Sequence, residues 1–154
     1  MNLNIRNALK NDLNLINEIA KQVHNLHVEL RPDIYVPNDI VISEERYNEL
    51  LAEGIVLVGE IDNQIVSYAV CFIRDWNNPV MARRKVMFID AIGNDENFRN
   101  CGIGKKMMDH IINYAKEINC DRVELQVIES NKNAMGFYEH MGMKEKSRTL
   151  EMNL

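Results

Sequence analysis

A nine-residue stretch two-thirds of the way along the chain, FRNCGIGKK, combines two glycines with flanking cations. Gly102 and Gly104 stand between Arg99 and the pair Lys105 and Lys106, where an apolar run gives way to helical spacing. The first turn of a helix has N–H groups without partners and carries partial positive charge, so anions bind there readily. Glycines remove side chains that would keep a phosphate away from these groups. The stretch predicts a phosphate-binding turn, with a tight turn that needs glycine only for backbone freedom as the alternative.

Two nucleotide-binding motifs match this turn poorly. A P-loop reads G-x-x-x-x-G-K-[ST], whereas these two glycines are too close together and neither Ser nor Thr follows Lys105. The dinucleotide fingerprint has a third glycine where Met107 stands, and it normally follows the first strand of its fold. The spacing therefore favours another phosphate ligand, and nucleotide binding stays only as an alternative that neither motif supports.

Two of the four histidines lie close together near the start of the chain, and histidine ordinarily changes charge near neutral pH. His24 and His27 are three residues apart in a segment with helical spacing, which places them on neighbouring faces. The alternative for each is a half-buried helix residue without a chemical role. No set of His, Cys and Asp residues has metal-ligand spacing, so the sequence predicts no metal site.

The elements that must position these residues follow from apolar periodicity and from helix and strand breakers. In chain order they are a strand over 1–8, a helix from Asn11 or Asp12 to before Pro32, a helix from Ser43 to Gly54, a hairpin around Asp62 and Asn63, a strand over 86–92, a helix from Gly102, a strand over 123–127 and a helix from Asn131 to Gly142. The last dozen residues alternate weakly and predict one or two terminal strands. The strand, glycine turn, helix and strand in succession predict a parallel strand pair.

Length and composition limit the classes of protein to consider. A chain of 154 residues, 46% of them apolar, has the size of one domain with its own core, so residues 1–154 are predicted to form a single domain. A net charge of −5 disfavours general binding to nucleic acid or anionic membranes. Three cysteines without a C-x-x-C pair, and no apolar secretion-signal core, predict a reducing, cytoplasmic setting. No apolar run approaches the roughly 20 residues of a membrane-spanning helix, so no membrane partner is expected.

Two segments, RNCGIGKKMM at 99–108 and NKNAMGFYEHMGM at 131–143, carry a family resemblance. The first resembles the R/Q-x-x-G-x-G/A signature of the GNAT superfamily of N-acetyltransferases. The second is similar to that family's N-x-x-A-x-x-F-Y-x-x-x-G-F segment, with Met143 at the usual Phe position. The predicted elements follow the family order over essentially the whole chain, and two motifs in the right order are more specific than one.

The resemblance implies a fold and an activity. The fold is α+β (mixed α/β), with a central, mostly antiparallel sheet of six to seven strands, a splayed parallel strand pair and about four flanking helices. The implied activity is direct transfer of an acetyl group from acetyl-CoA to a primary amine of a small molecule or peptide, in a ternary complex. The alternative is a non-catalytic acyl-CoA-binding sensor or interaction module. Similar proteins often pair through their terminal strands, which suggests a homodimer.

The resemblance also implies where the donor binds, with the pyrophosphate at the glycine turn and the pantetheine arm along the preceding strand. The matching positions are Ile92, Gly93 and Asn94 on the strand, Arg99, Asn100, Cys101, Gly102, Ile103, Gly104 and Lys105 in the turn, and Asn131, Ala134 and Tyr138 in the second motif. Gly93-Asn94 replaces the commoner β-branched pair, which predicts a β-bulge or an unusually close approach of the cofactor. For Asn131, a helix N-cap is the alternative role.

Two of these matches imply acid–base chemistry. Tyr138 matches the family's general acid, because a phenol with a pKa near 10 stays protonated at neutral pH, and packing beside Phe137 is its alternative. Asp90 matches the position of a Glu base in many relatives. The shorter Asp predicts action through a water, and simple binding of substrate charge is its alternative. Cys101 is not expected to be a nucleophile, since a residue beside the pyrophosphate is far from the thioester.

The acceptor side is implied less sharply. His24, His27 and Arg31 fall in a region that commonly borders the acceptor in such enzymes, so they are expected to contact the substrate. Acidic residues cluster near that side: Glu29, Asp33, Glu44 and Glu45. They favour a cationic small molecule such as a polyamine or an aminoglycoside-like amine, and peptide or protein amines stay open.

Overall fold

The structure, a computed structural model, describes residues 2–154. The strands of this part of the chain form one sheet in sequence order: β1 (Asn4–Asn7), β2 (Ile55–Ile61), β3 (Gln64–Trp76), β4 (Arg84–Asn94) and β5 (Arg122–Leu125). Neighbours from β1 to β4 run antiparallel, and β5 runs parallel to β4. The predicted parallel pair is therefore confirmed.

The helices of the same residues are α1 (Leu13–Leu30), α2 (Glu44–Glu53), α3 (Ile103–Glu117) and α4 (Lys132–His140). Short 3₁₀ turns, Lys10–Asp12 and Glu96–Phe98, precede α1 and α3. The Ser43 side chain accepts a 3.1 Å hydrogen bond from Arg46 N, which explains why α2 begins there, as predicted. None of the helices within residues 2–154 is both long and apolar enough to cross a membrane.

Successive residues of the sheet contribute to two core layers. Val56 and Val58 of β2 are buried with Ile16 of α1. Leu57, between them in sequence, is buried with Met107 of α3. Because neighbouring strand side chains face opposite sides of a sheet, the continuous apolar run of β2 reflects cover on both faces. The helices α3 and α4 therefore lie on one face of the sheet, and α1 lies on the other.

The strand count differs from the expected six to seven, because the last dozen residues add no strand and the sheet described within residues 2–154 has five. Leu150, Met152 and Leu154 are 89%, 84% and 116% exposed. Their alternation with polar residues meets no apolar face of the same chain, so strand propensity there is not matched by burial.

Ion pairs hold this terminal segment, residues 144–154, beside the fold. Lys146 Nζ lies 2.8 Å from Glu124 Oε1 on β5, and Glu151 Oε1 lies 2.7 Å from Arg31 Nη2 at the end of α1. Other boundaries shift by a few residues: β1 is shorter than the predicted 1–8, where Met1 lies outside the described residues, β4 is longer and β5 is shorter.

A half-buried ion-pair network joins β1 to the start of α1. Asp12 is 8% exposed and accepts hydrogen bonds from Arg6 Nη1 at 2.7 Å and from Leu9 N at 2.7 Å. Arg6 also donates to Glu60 of β2 at 2.5 Å. The hydrogen bond from Arg6 is the main cause that lowers the pKa of Asp12 below its ordinary value.

We expect Asp12→Asn to destabilise the fold by about 2 kcal/mol at pH 7, because a buried charged hydrogen-bond network loses one partner. The folded-state pKa of Asp12 is lowered, so its stabilisation is present above the unfolded pKa of about 4 and is lost as pH falls through the folded value. Urea unfolding at pH 7 and pH 3 checks this. The exposed pair Lys21–Asp39 supplies the control Asp39→Asn, which should leave stability unchanged. Equal losses at both pH values for Asp12→Asn would contradict the expectation.

Candidate active site

The strand β4 extends beyond the end of its neighbour β5. Their ladder ends with Ile89 opposite Leu125, whereas β4 continues to Asn94. In the described part of the chain, residues 90–94 therefore have no ladder partner on the β5 side. The free N–H and C=O groups of such an edge can pair with an extended ligand. The ladder ends because β5 itself ends at Leu125, and the unpaired edge of β4 lies where the resemblance implied a splayed strand pair.

Asp90 lies at a β-bulge at the same point. Val70 of β3 pairs with Ala91 but Cys71 pairs with Ile89, which leaves Asp90 without an opposite residue. A bulge bends its strand and redirects a side chain. Here it lies directly after the last residue pair between β4 and β5. Burial raises the pKa of Cys71 to about 12, and the nearby Asp90 carboxylate adds to the rise.

The prediction of a bulge at Gly93-Asn94 was therefore wrong in position. A glycine is needed at residue 93 for a different reason. A Cβ on Gly93 would lie 2.8 Å from Tyr68 Cε1 and 2.9 Å from Val23 Cγ2. The close approach at this residue comes from β3 and α1 of the chain itself rather than from a ligand.

The glycine turn gathers backbone donors at the start of α3. Asn100 and Gly102 both have left-handed φ values, 61° and 74°. None of the six N–H groups of residues 100–105 donates a hydrogen bond to any atom of residues 2–154. Nothing lies within 4 Å of the position that a Cβ on Gly102 would take. Open space in front of six donors at the positive end of a helix suits an anion.

Side-chain cations contribute less here than the sequence predicts. Lys105 Nζ lies 2.6 Å from Asp109 Oδ2, one helical turn along α3, and Arg99 faces Glu96 at 4.0 Å. Cys101 is exposed, and its thiol lies 3.5 Å from the Arg99 carbonyl oxygen. The backbone N–H groups are therefore the main attraction for an anion at this turn.

The helix α4 contacts the first turn of α3. A Cβ on Gly104 would lie 3.0 Å from Asn94 Nδ2 and 3.5 Å from Phe137 Cζ. The room expected for a phosphate at both glycines thus exists at Gly102, whereas at Gly104 the chain's own side chains use it. The ring of Tyr138 lies 5.4 Å from that of Phe137, in edge contact. Phe137 therefore links the ring of Tyr138 to the first turn of α3.

Two residues of the second motif have defined local roles. Burial raises the pKa of Tyr138 above its ordinary value, so the phenol keeps its proton throughout the neutral range. Asn131 caps α4, because its side chain accepts a 3.2 Å hydrogen bond from Ala134 N. The N-cap alternative for Asn131 is thus observed, and its Nδ2 group is not used by the cap.

The two histidines of α1 face the loop that follows the helix. His24 Nε2 donates to the carbonyl oxygen of Val36 at 2.7 Å, and the ring of His27 lies 5.2 Å from that of Tyr35. Burial, with a further contribution from the charge of His24, lowers the pKa of His27. His27 is therefore neutral at pH 7, and His24 helps to hold the loop.

Arg31, unlike His24 and His27, forms ion pairs with carboxylates. Its guanidinium contacts Asp33 and Glu151, each at 2.7 Å. Two carboxylates already satisfy its charge, so its observed role is to tie the terminal segment to α1.

Cavities lie near both ends of α1. One of about 170 Å³ between the end of α1 and the start of α4 is lined by Leu26, Leu30, Ser130, Asn131, Lys132 and Asn133. One of about 430 Å³ near the start of α2 contains none of the candidate catalytic residues. The site is therefore assigned from the strand edge and the donors rather than from cavity size. No group of three or more His, Cys, Asp or Glu residues within 2–154 could hold a metal ion.

Sequence reasoning missed two side chains that shape this site. Ser67 is fully buried on β3 and contacts Asn94, and Gln22 of α1 accepts a 2.8 Å hydrogen bond from Glu96 N before the glycine turn. A lone serine inside the apolar run IVSYAVCF was a signal for the first. The contact of Gln22 links distant segments, and no local pattern predicts it.

Comparison with known proteins decides the family. The model of the acetyltransferase (GNAT) family matches residues 20–143, most of the chain. The chain belongs to the GNAT family. Residues 90–94, the glycine turn and α4 all fall inside the matched segment.

Relatives of this GNAT protein include N-alpha-acetyltransferase 50 of Danio rerio, 32% identical over 108 residues. That match covers 66% of this chain and 62% of the relative. An uncharacterized N-acetyltransferase of Methanocaldococcus jannaschii is 35% identical over 89 residues, 58% of this chain and 38% of that protein. The chain thus matches less than two-thirds of the length of these relatives.

Solved structures extend the likeness over the whole GNAT fold. A mutant of the BH1408 protein of Bacillus halodurans has a TM-score of 0.94 and 31% identity, over 98% of this chain and 99% of that one. An aminoglycoside N-acetyltransferase in complex with CoA has a TM-score of 0.73 at 16% identity, over 99% of this chain and 95% of that one. The second likeness concerns the fold alone.

Proposed function

We propose that residues 1–154 form a single acetyltransferase domain that moves an acetyl group from acetyl-CoA directly to a primary amine in a ternary complex. Family membership and the names of the relatives, which include N-acetyltransferases, support this activity. The observation that carries the proposal is the set of six unused N–H groups at residues 100–105, next to the free edge of residues 90–94.

The donor-binding residues fit a diphosphate joined to an extended amide-bearing arm. The open space at Gly102 admits the phosphates, and the six N–H groups of residues 100–105 donate to their oxygens. The free edge at Ile92 and Asn94 offers main-chain groups to the amides of the arm, whereas the carbonyl oxygen of Gly93, between them, faces Ser67 of β3. When bound, acetyl-CoA supplies an activated thioester carbonyl. The chain's part is to hold that carbonyl beside the acceptor amine.

Tyr138 is proposed as the general acid. Its ring contacts Phe137, which in turn approaches Gly104 at the start of α3, and burial raises the pKa of the phenol so that it stays protonated. A protonated phenol can donate its proton to the departing thiolate, which makes the thiolate a better leaving group. Asn131 and Ala134 are proposed to contact the acyl donor, and the N-cap hydrogen bond between them places both at the start of the same helix.

Asp90 is proposed as the general base, acting through a water molecule. In support of this role, Asp90 lies at the bulge of β4, next to the point where β5 ends and the edge of β4 becomes unpaired. The amine must lose a proton to act as a nucleophile, and an exposed carboxylate at that point can accept it through water.

The acceptor is proposed to approach from the α1 side, past His24 and His27. Similar proteins bear the names of acetyltransferases for peptidyl-lysine and for aminoglycosides, so both peptide and small-molecule amines belong in a substrate screen. Of the acidic residues near that side, Asp33 is engaged by Arg31, whereas Glu44 and Glu45 lie in the first turn of α2.

The test is release of CoA thiol from acetyl-CoA in the presence of a panel of polyamines, aminoglycosides and short peptides. We expect turnover that depends on the amine and a product that carries the acetyl group. Tight binding of acetyl-CoA without turnover on any amine would instead support the sensor alternative. Preferential thermal protection by ATP or NAD over CoA would contradict the donor assignment.

We also propose that the chain forms a homodimer through its terminal segment. The outer edge of β5 has no strand neighbour within residues 2–154, and Leu150, Met152 and Leu154 alternate with polar residues. Such a segment can complete the sheet of a second copy.

Light scattering at tens of micromolar protein should therefore give the mass of a dimer, and Leu150→Asp should give the mass of a monomer. The control Val80→Asp, on an equally exposed loop residue, should stay dimeric. A monomeric wild-type chain would remove the homodimer from the proposal.

A further inference from the structure

Ser67 is a buried polar residue inside an otherwise apolar segment of β3. It has no exposed surface, and Asp12 is the other buried polar or charged residue within residues 2–154. Ser67 pairs across the sheet with Asn94, the last residue of β4. A buried hydroxyl costs stability unless it is hydrogen-bonded, so its partners indicate its role.

The Ser67 hydroxyl holds the end of β4 in place. Its Oγ lies 2.8 Å from Asn94 Oδ1 and 3.2 Å from the carbonyl oxygen of Gly93. Both partners are acceptors, so the hydroxyl donates its proton between them and favours the nearer Asn94 Oδ1. Because the Oδ1 atom of Asn94 must face Ser67, the Nδ2 atom must face away from it.

The Nδ2 group of Asn94 points to the donor-rich turn. It lies 3.0 Å from the position of a Cβ on Gly104, in the first turn of α3. No acceptor on the protein is found for it among residues 2–154, and it is not among the buried unpaired atoms, so it stays accessible to a ligand. Its two N–H groups thus stand beside the unused N–H groups of residues 100–105. A cluster of accessible N–H donors without protein acceptors suits a ligand that is rich in hydrogen-bond acceptors.

We propose that the Asn94 side chain donates a hydrogen bond to the diphosphate of the acyl donor, and that Ser67 is a positioning residue that orients its amide. The inference rests on the proposed donor site. It also explains Gly104, because any side chain there would press on Asn94 Nδ2.

The first test compares Asn94→Asp with the charge-matched control Asn153→Asp in the exposed terminal segment. Aspartate keeps the shape of Asn94 and still accepts from Ser67, but it places a carboxylate where the amide donated. We expect the CoA Kd, measured by calorimetry, to rise about 100-fold for Asn94→Asp and not for Asn153→Asp. Equal Kd values for the two variants would overturn the inference.

The second test asks whether Ser67 acts through Asn94. Ser67→Ala should weaken CoA binding several-fold in the wild-type background and have no further effect when combined with Asn94→Leu. Asn94→Leu should lower kcat/KM for acetyl-CoA but not for acetyl-pantetheine, which lacks the diphosphate. Additive effects of Ser67→Ala and Asn94→Leu on the CoA Kd, or equal losses on both acyl donors, would overturn the assignment. Failure of the wild-type chain to bind CoA would defeat the proposed function itself, and that outcome is separable from these comparisons.

Discussion

Replacing Gly102 with glutamate should abolish measurable CoA binding, with a loss of at least 100-fold in affinity. The new carboxylate would occupy the open space in front of residues 100–105 and accept their hydrogen bonds itself. It would also repel the phosphates. The glycine has φ 74°, so a side chain there adds strain of about 1–2 kcal/mol that lowers stability.

Gly142 supplies a matched control for that strain. It has φ 89° and nothing within 4 Å of a Cβ, but it follows the C-terminal end of α4, and its own N–H already donates to the Glu139 carbonyl oxygen. Calorimetric titration with CoA and thermal unfolding should show that Gly142→Glu loses similar stability and keeps its affinity. If Gly102→Glu bound CoA as tightly as Gly142→Glu does, the glycine turn would not be the phosphate site.

Tyr138→Phe should lower kcat by about 100-fold while the KM for acetyl-CoA changes little. The ring and its contact with Phe137 are kept, so donor binding survives, but the proton for the leaving thiolate is lost. The raised pKa of Tyr138 keeps the wild-type phenol protonated below about pH 10, so no loss of rate from its deprotonation is expected between pH 7 and pH 9.

The control for this variant is Tyr114→Phe, which removes a hydroxyl from another half-buried tyrosine that packs on the same core layer. Steady-state rates on the best amine of the screen should be unchanged by Tyr114→Phe. Full activity of Tyr138→Phe would exclude the acid role and leave Tyr138 a packing residue.

Local signals predicted the elements of this fold well. The pair Asp62-Asn63 has φ values of 50° and 63°, which is the turn that the sequence predicted between two β-branched runs. Ser43 and Asn131 both cap helices through their side chains, as residue type and position indicate. In each case the cause lies within a few residues of the chain, so a single sequence contains it.

Contacts between distant segments escaped prediction. The bulge at Asp90 arises from the register of β3 against β4, and Gly93 is required because Tyr68 and Val23 approach it closely. The missing terminal strands have a related cause, since an alternating pattern forms a strand only where its apolar side chains meet an apolar face. The glycine turn was expected from its spacing, but the different uses of Gly102 and Gly104 depend on α4, which is remote in sequence.

The donors at residues 100–105 belong to the main chain, and this has an evolutionary consequence. Every amino acid except proline brings the same N–H group, so most replacements at residues 101, 103 and 105, which need neither glycine nor a left-handed φ, preserve the hydrogen bonds to acetyl-CoA. Selection can therefore change the neighbouring side chains to suit new acceptor amines without rebuilding the acetyl-CoA site of the enzyme. Proline scanning of residues 100, 101, 103 and 105 is the mutational pattern that this architecture should tolerate least.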